Sequence, residues 1–541
     1  MLALISGTAA LYLQAAAGAQ ETAPEQQIEE PVPTDTTGAV ETAPEPPMYI
    51  REYRVQGARN LPRISVEEAV YPYLGPGRTS EDVEQARAAL EKAYHEKGFE
   101  TVSVEIPVQQ VRRGIVRLQV VEATVGRFRV KGSRYFLPSH IKNRARSMAE
   151  GRVINFNQVT QEIVGLNQLA DRQITPEIRA GVELGTVDID LNVKDTFPLH
   201  GSVELNNRYT ANTTPLRLSA ALSYNNLWQL GHSIGGNFQI SPQNPDEVRI
   251  YSGYYIARFP NYTPLSLMLT ATKQESNTVI PGSGAGVTAP GEVIGLRALI
   301  ALPPGKGFSQ SLSVDFDYKH FEQTLTLAGL ASSTPISYYP FTLGYSANWQ
   351  GKGYNTAANA GITWHFRGMG SKRDAYDENR FRSDGNFVYF RGDIAHTQKL
   401  PEDFEVFGKV LGQIANRPLL NTEQIAGGGL DSVRGYLEAE ALADNGLFGS
   451  LEVRTPSLLS WMKGEGNEWR FYTFLEGGIL ILNDPLPEQE DRFELASYGF
   501  GTRFQMFDYL NASLDAGFPI VDGANTKTGD LRLTFRVWAE F

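Results

Sequence analysis

From about His200 to its last residue, this chain alternates apolar and polar side chains with a period of two. Leu216, Leu218, Ala220, Leu222 and Tyr224 alternate with Arg217, Ser219, Ala221 and Ser223, and Leu265, Leu267, Leu269 and Ala271 repeat the pattern. Leu312, Val314, Phe316 and Tyr318 do the same, and the end of the chain places Leu531, Leu533, Phe535, Val537, Ala539 and Phe541 on one face. Successive side chains of a strand point to opposite faces, so this period predicts strands with one apolar face. Such alternation fits a soluble sandwich as well as a membrane barrel. Aromatics near strand ends, very unequal loops and a final strand closing in Phe541 favour the barrel, whose apolar outer band is flanked by aromatic girdles. The 342 residues from 200 to 541, at roughly 20 per strand and connection, predict about 16 antiparallel strands around an aqueous lumen. Stretches near 274–294, 367–386 and 416–446 predict external loops, or loops folded into the pore.

Ahead of this region the pattern is a repeat. Tyr53-Arg54-Val55-Gln56-Gly57 returns 75 positions later as Phe128-Arg129-Val130-Lys131-Gly132. In the first copy Val83, Ala86, Leu90 and Tyr94 share one face of a helix over 80–97, with Thr79 and Asp82 as a capping box and Gly98 as the stop. Two strands follow, carried by Val102, Val104, Ile106 and Val108 and, after a turn at Arg113-Gly114, by Val116, Leu118 and Val120. In the second copy Val159, Ile163, Leu166 and Ala170 mark the helix, and the strands are marked by Ile178, Ala180 and Val182 and then by Val187, Ile189, Leu191 and Val193. Each copy reads β-α-α-β-β in roughly 70 residues, small but viable for a domain.

The N-terminus changes the picture of where the chain works. Residues 1–19 are apolar and small and end in Ala17-Gly18-Ala19, a site suited to signal peptidase, which predicts export. The usual basic region is missing, since no Lys or Arg precedes Arg51. Residues 20–47, with six Pro, seven acidic residues and no basic one, predict a disordered linker. The expected order is thus a signal peptide at 1–19, a linker at 20–47, repeat domains at 48–123 and 124–196, and a barrel at 197–541. No later apolar run reaches the roughly 18 residues of a transmembrane helix, so any membrane crossing is by strands. The absence of Cys among 541 residues suits an oxidising envelope. A net charge of −12 without a Lys/Arg cluster argues against nucleic acid as a partner.

Within 416–446 lies Gly427-Gly428-Gly429-Leu430-Asp431-Ser432-Val433-Arg434-Gly435-Tyr436. A glycine run lets the backbone fold tightly, Arg434 supplies a planar charged donor and Tyr436 an amphipathic ring. Such a segment could tuck into a wet lumen and pair with a wall carboxylate. The candidate is Glu476 in Phe474-Leu475-Glu476-Gly477-Gly478, because a lumen-facing acid is tolerable in an apolar strand, whereas a lipid-facing one costs about 2 kcal/mol or more near mid-membrane. Spacing alone leaves open an exposed loop Arg and a rim Glu that never meet.

Two repeats of this kind, a barrel of this size and the Val433-Arg434-Gly435-Tyr436 loop resemble the two-partner-secretion transporters, also called hemolysin secretion/activation proteins, over roughly residues 50–541. The resemblance implies two periplasmic POTRA domains (polypeptide-transport-associated) before an outer-membrane β-barrel. It implies a loop that enters the lumen and bonds, through Arg434, an inward-facing acid in a motif represented here by Phe474, Glu476 and Gly478, with Glu where the family has Asp. Many members thread an N-terminal helix through the pore; residues 20–47 look unable to form one, which leaves closure to loops. The implied partners are an unfolded secreted protein, outer-membrane lipid and the barrel assembly machinery, the last reading Phe541 at the C-terminus; the chain is expected to be a monomer. An assembly factor for other barrels, with usually more POTRA repeats, and a passive porin are the alternatives. An enzyme is not expected: His95-Glu96 lacks the second His of a zinc helix, and neither a metal nor a cofactor is implied.

Overall fold

The computed structural model describes residues 47–541 apart from 112, 212, 260–264, 276–289, 328–329, 460–466 and 488. The expected signal peptide and all but the last residue of the expected linker lie outside the described residues. The chain divides between Phe197 and Pro198 into two compact units.

The first unit contains both repeats. In the first copy, β1 (Met48–Ile50) pairs with β3 (Gly75–Arg78), while β2 (Glu52–Gln56), α1 (Arg63–Val70), α2 (Ser80–Glu96), β4 (Val102–Glu105) and β5 (Ile115–Glu122) build a three-stranded sheet, in the order β2-β5-β4, under two helices. Val83, Ala86, Leu90 and Tyr94 are buried against Val102, Val116 and Leu118. Thr79 and Asp82 form the capping box, and Gly98 ends the helix at φ +88°. The expected strand through Val108 stops at Glu105. Pro107, two residues on, has no N–H to donate to a ladder, and Val108 is fully exposed.

The second copy has the same order: β6 (Thr124–Lys131), α3 (Pro138–Arg144), α4 (Phe156–Leu166), β7 (Arg172–Ala180) and β8 (Thr186–Asp195), with sheet order β6-β8-β7. Here the helix ends before Ala170 and the strand before Val182, which is exposed in a tight connection. On the polar face of this sheet, the Asp190 carboxylate is 1% exposed and is bonded by Lys131 Nζ at 2.7 Å, Arg129 Nε at 2.8 Å and Arg179. The Lys131 hydrogen bond, with those of Arg129, outweighs desolvation and holds this carboxyl down at about 2. Its folded-state pKa lies below the unfolded value of about 3.9, so the stabilisation is fully present above about pH 4 and is lost as pH falls through about 2. Amide-exchange protection of residues 124–195 is expected to fall over that window in the wild type. Asp190→Asn should be less protected near neutral pH and lose this acid-dependent step.

The second unit is a closed antiparallel barrel. Its strands are β9 (Leu199–Asn206), β10 (Arg217–Leu227), β11 (His232–Ile240), β12 (Arg249–Arg258), β13 (Leu265–Gln274), β14 (Gly291–Ala301), β15 (Phe308–Leu327), β16 (Leu330–Tyr338), β17 (Phe341–Gly351) and β18 (Tyr354–His365). After a loop carrying α5 (Arg373–Asn379) come β19 (Phe387–Lys399) and β20 (Glu405–Ala415). The long loop 416–444 contains the short pair β21 (Ile425–Gly427) and β22 (Ala441–Ala443). The wall then resumes with β23 (Asn445–Arg454), β24 (Glu468–Ile481), β25 (Arg492–Met506), β26 (Leu510–Pro519) and β27 (Arg532–Glu540). β16 and β17 pair with successive halves of β15 and are separated by Tyr339-Pro340, where proline removes a donor. They form one interrupted stave, and the wall therefore has 16 staves.

The registers sort side chains strictly. Glu452, paired with Phe474, and Glu476, paired with Ser497, face the lumen, while Leu451, Val453, Leu475 and Tyr498 face outward and are exposed. The two longest described connections, 366–386 and 416–444, leave from the same end, and tight turns such as 228–231 and 352–353 occupy the other. The barrel closes where β27 meets β9 over five residue pairs, from Arg536↔Asn206 to Glu540↔Ser202. Phe541 extends this seam: its N–H donates to Gly201 O at 3.0 Å, and its ring lies where a Cβ on Gly201 would be, 2.5 Å from the ring edge.

Candidate functional site: a loop pinned across the lumen

Between β20 and β23 the chain turns inward instead of connecting directly. Two consecutive glycines, Gly428 at φ +97° and Gly429 at φ +86°, and Gly435 at φ +100° allow turns that a side chain would strain. The crest reaches the wall backbone itself, for a Cβ on Gly517 of β26 would sit 2.6 Å from Gly435 N. Val433 is buried with Ile425, Phe448 and Leu480. Tyr436 is fully buried, and its hydroxyl donates to Val521 O at 2.6 Å.

Arg434 is 6% exposed and meets three carboxylates. Its Nη2 lies 2.6 Å from Glu476 Oε1, and its Nη1 lies 3.0 Å from Glu452 Oε2 and 3.0 Å from Asp515 Oδ1. The Arg434 backbone N–H adds a 2.6 Å bond to Glu476 Oε2, and the guanidinium lies 3.7 Å from the centre of the Phe474 ring. Gly478 makes room for the Phe448 ring, which a Cβ would strike. Arg454 and Arg503 also bond Glu452, at 2.6 and 3.2 Å, so three arginines balance three acids.

The structure thus brings Val433, Arg434, Gly435, Tyr436, Phe474, Glu476 and Gly478 to one wall and places Phe541 apart from them, at the seam. The sequence reading named one acid; Glu452 and Asp515 were missed. Their signal was parity: each is a charge between outward-facing apolar neighbours, Leu451 and Val453 or Leu514 and Ala516. A further pair was not foreseen. Arg208, just after β9, bonds Glu438 at 2.7 Å and Asp431 at 2.6 Å.

One further spacing bears on an enzyme reading: Gly231-His232-Ser233-Ile234-Gly235 matches Gly-x-Ser-x-Gly. It enters the extended strand β11 with no helix after it, unlike a nucleophile elbow. The Ser233 hydroxyl accepts from Arg258 Nη1 at 2.7 Å. Among the described residues no group of three His, Asp or Glu is arranged to hold a metal.

Removing one partner from a buried ion cluster leaves the others uncompensated, at about 3–5 kcal/mol. Arg434→Ala should therefore free the crest of the loop and raise amide exchange at 428–437 while the barrel still migrates as folded on an unheated gel. Arg434→Lys should restore little, because a point ammonium cannot serve three acids from one plane.

Residues 185–504 match the family model described as haemolysin secretion/activation protein ShlB/FhaC/HecB, and residues 48–123 match the ShlB-type POTRA domain. The outer membrane transporter CdiB of Dickeya dadantii is 20% identical over 507 residues, 92% of this chain and 87% of that protein. The heme/hemopexin transporter protein HuxB of Haemophilus influenzae is 20% identical over 447 residues, 78% of this chain and 76% of its own. Among solved structures, CdiB from Escherichia coli superposes with a TM-score of 0.67 at 18% identity, covering 99% of both chains. BamA from Haemophilus ducreyi lacking POTRA domains 1–3 gives 0.54 at 14% identity, covering 91% of this chain and all of that one.

Proposed function

The chain belongs to the haemolysin secretion/activation protein family, and from that premise we propose that loop 416–444 is the gate of a pore through which an unfolded partner protein leaves the cell. As a member it is an outer-membrane transporter of a secreted partner, built as a 16-stave barrel with periplasmic POTRA structure. The finer steps are these. The client adds a strand to an open edge of a POTRA sheet, β7 being such an edge in the second repeat. It then crosses the hydrated lumen as the loop yields, and folding outside prevents its return without nucleotide. The chain does this as a monomer and without catalysis, and the barrel assembly machinery recognises its C-terminal Phe541. The observation that supports the gate is the loop itself, held inside the barrel by the ion pairs of Arg434 and Arg208.

The likeness to BamA favours a second reading, insertion of other barrels, because that fold is shared. The family match favours secretion.

Planar-bilayer conductance tests the proposal. Purified wild type should show brief, fluctuating openings that one unfolded partner from the same cell blocks, and Arg434→Ala should lengthen them. Steady conductance indifferent to Arg434 and to every candidate partner would leave a passive porin. Crosslinks that never join the client to residues 126–194 would remove the POTRA step.

A further inference from the structure

Eleven residues before Arg434, on a different wall, the same loop carries a second buried charge. Glu423 is 1% exposed. Its carboxylate bonds Lys319 Nζ of β15 at 2.6 Å, the Tyr338 hydroxyl of β16 at 2.7 Å and the Tyr389 hydroxyl of β19 at 2.8 Å. Its carbonyl accepts from Arg391 Nη2 at 3.1 Å and Gln413 Nε2 at 3.2 Å. Arg434 is held instead by β23, β24 and β26. The loop is therefore fastened at Glu423 and at Arg434 to different staves of the wall, and Arg208, through Asp431 and Glu438, holds it beside the second of these.

The surroundings of Glu423 are apolar. Tyr338 and Tyr389 belong to an apolar cluster with Phe321, Tyr376 of α5, Leu419 and Leu420. This cluster unites the β15–β16 hairpin, the helix of loop 366–386 and the first residues of loop 416–444, all at the end of the barrel where the long connections leave. The base of the loop is tied to loop 366–386 and to the β24–β25 connection: Asp444, fully buried, lies 3.5 Å from Arg380 and accepts from the Asn483 N–H at 2.7 Å.

We propose that Glu423 is a second positioning residue of the gate, which closes the mouth of the pore by joining loop 416–444 to Lys319, Tyr338 and Tyr389 independently of the Arg434 cluster. The inference rests on the gate reading above. Its physical content is two fastenings in series, so that passage requires both to open.

The test is single-channel recording of the full chain as wild type, Glu423→Gln, Arg434→Ala and the double variant, with gel migration as the check that each barrel is folded. Two independent closures in series predict modest gains in open probability for each single variant and, because their free energies add, a gain for the double close to the product of the two. Glu423→Gln leaves Lys319 unpaired, so Lys319→Gln/Glu423→Gln is recorded beside it; it should open as readily without an orphan charge. The swapped pair Lys319→Glu/Glu423→Lys should restore closure, which a packing role alone would not predict. Glu423 variants that gate like wild type, or a double variant no more open than Arg434→Ala, would overturn the proposal and leave the transport reading standing. A wild-type pore that no client blocks would instead fail that reading, whatever Glu423 does.

Discussion

Three carboxylates on one wall of the barrel, Glu452, Glu476 and Asp515, stand within reach of a single guanidinium. Left to themselves in a confined lumen they would repel one another and lose their hydration, so the wall is complete only when a cation arrives. Arg454, two residues beyond Glu452 on β23, and Arg503 of β25 supply part of it. The remainder comes from a residue that is not part of the wall, and this is why a long loop lies inside the pore rather than in solvent. The orientation of Tyr436, the burial of Val433 and the turns at the glycines all follow from delivering Arg434 to that place.

The barrel depends on the same logic at larger scale. Its outward face is apolar because the solvent there is hydrocarbon, and its inward face carries charge because the lumen is wet. Charges can be concentrated inside only where partners are provided, and the loop provides them: Glu423, Asp431, Arg434 and Glu438 each meet an opposite charge on a stave or beside one. Ion pairs set where the segment lies, and two apolar patches, around Val433 and Tyr436 and around Leu419 and Leu420, pack it against the wall.

Much of this was legible in the chain. The period of two announced the staves, the internal repeat announced the two α+β domains, and the resemblance joined Arg434 to Glu476, a contact that spacing alone had left open. Apolar period alone ran too far at Ile106 and Val108, where Pro107 ends the ladder, and at Val182, where the chain is already turning. Glu452 and Asp515 were missed because one acid had been matched to one arginine, although their parity in apolar strands marks them as lumen-facing. Glu423, Arg208 and Asp444 carry no such mark. They lie in loops or at strand ends, and only the closed register of the whole barrel brings them beside their partners.

Where the crest of the loop touches β26, Gly435 faces Gly517 with no side chain from either. Side chains that interlock must change rotamers before two surfaces can part. Two bare backbones need not, and they meet like the faces of a plain bearing. Friction at this contact is low, so the resistance to sliding the crest away comes from its flanks: the ion pairs of Arg434 and the buried side chains of Val433 and Tyr436.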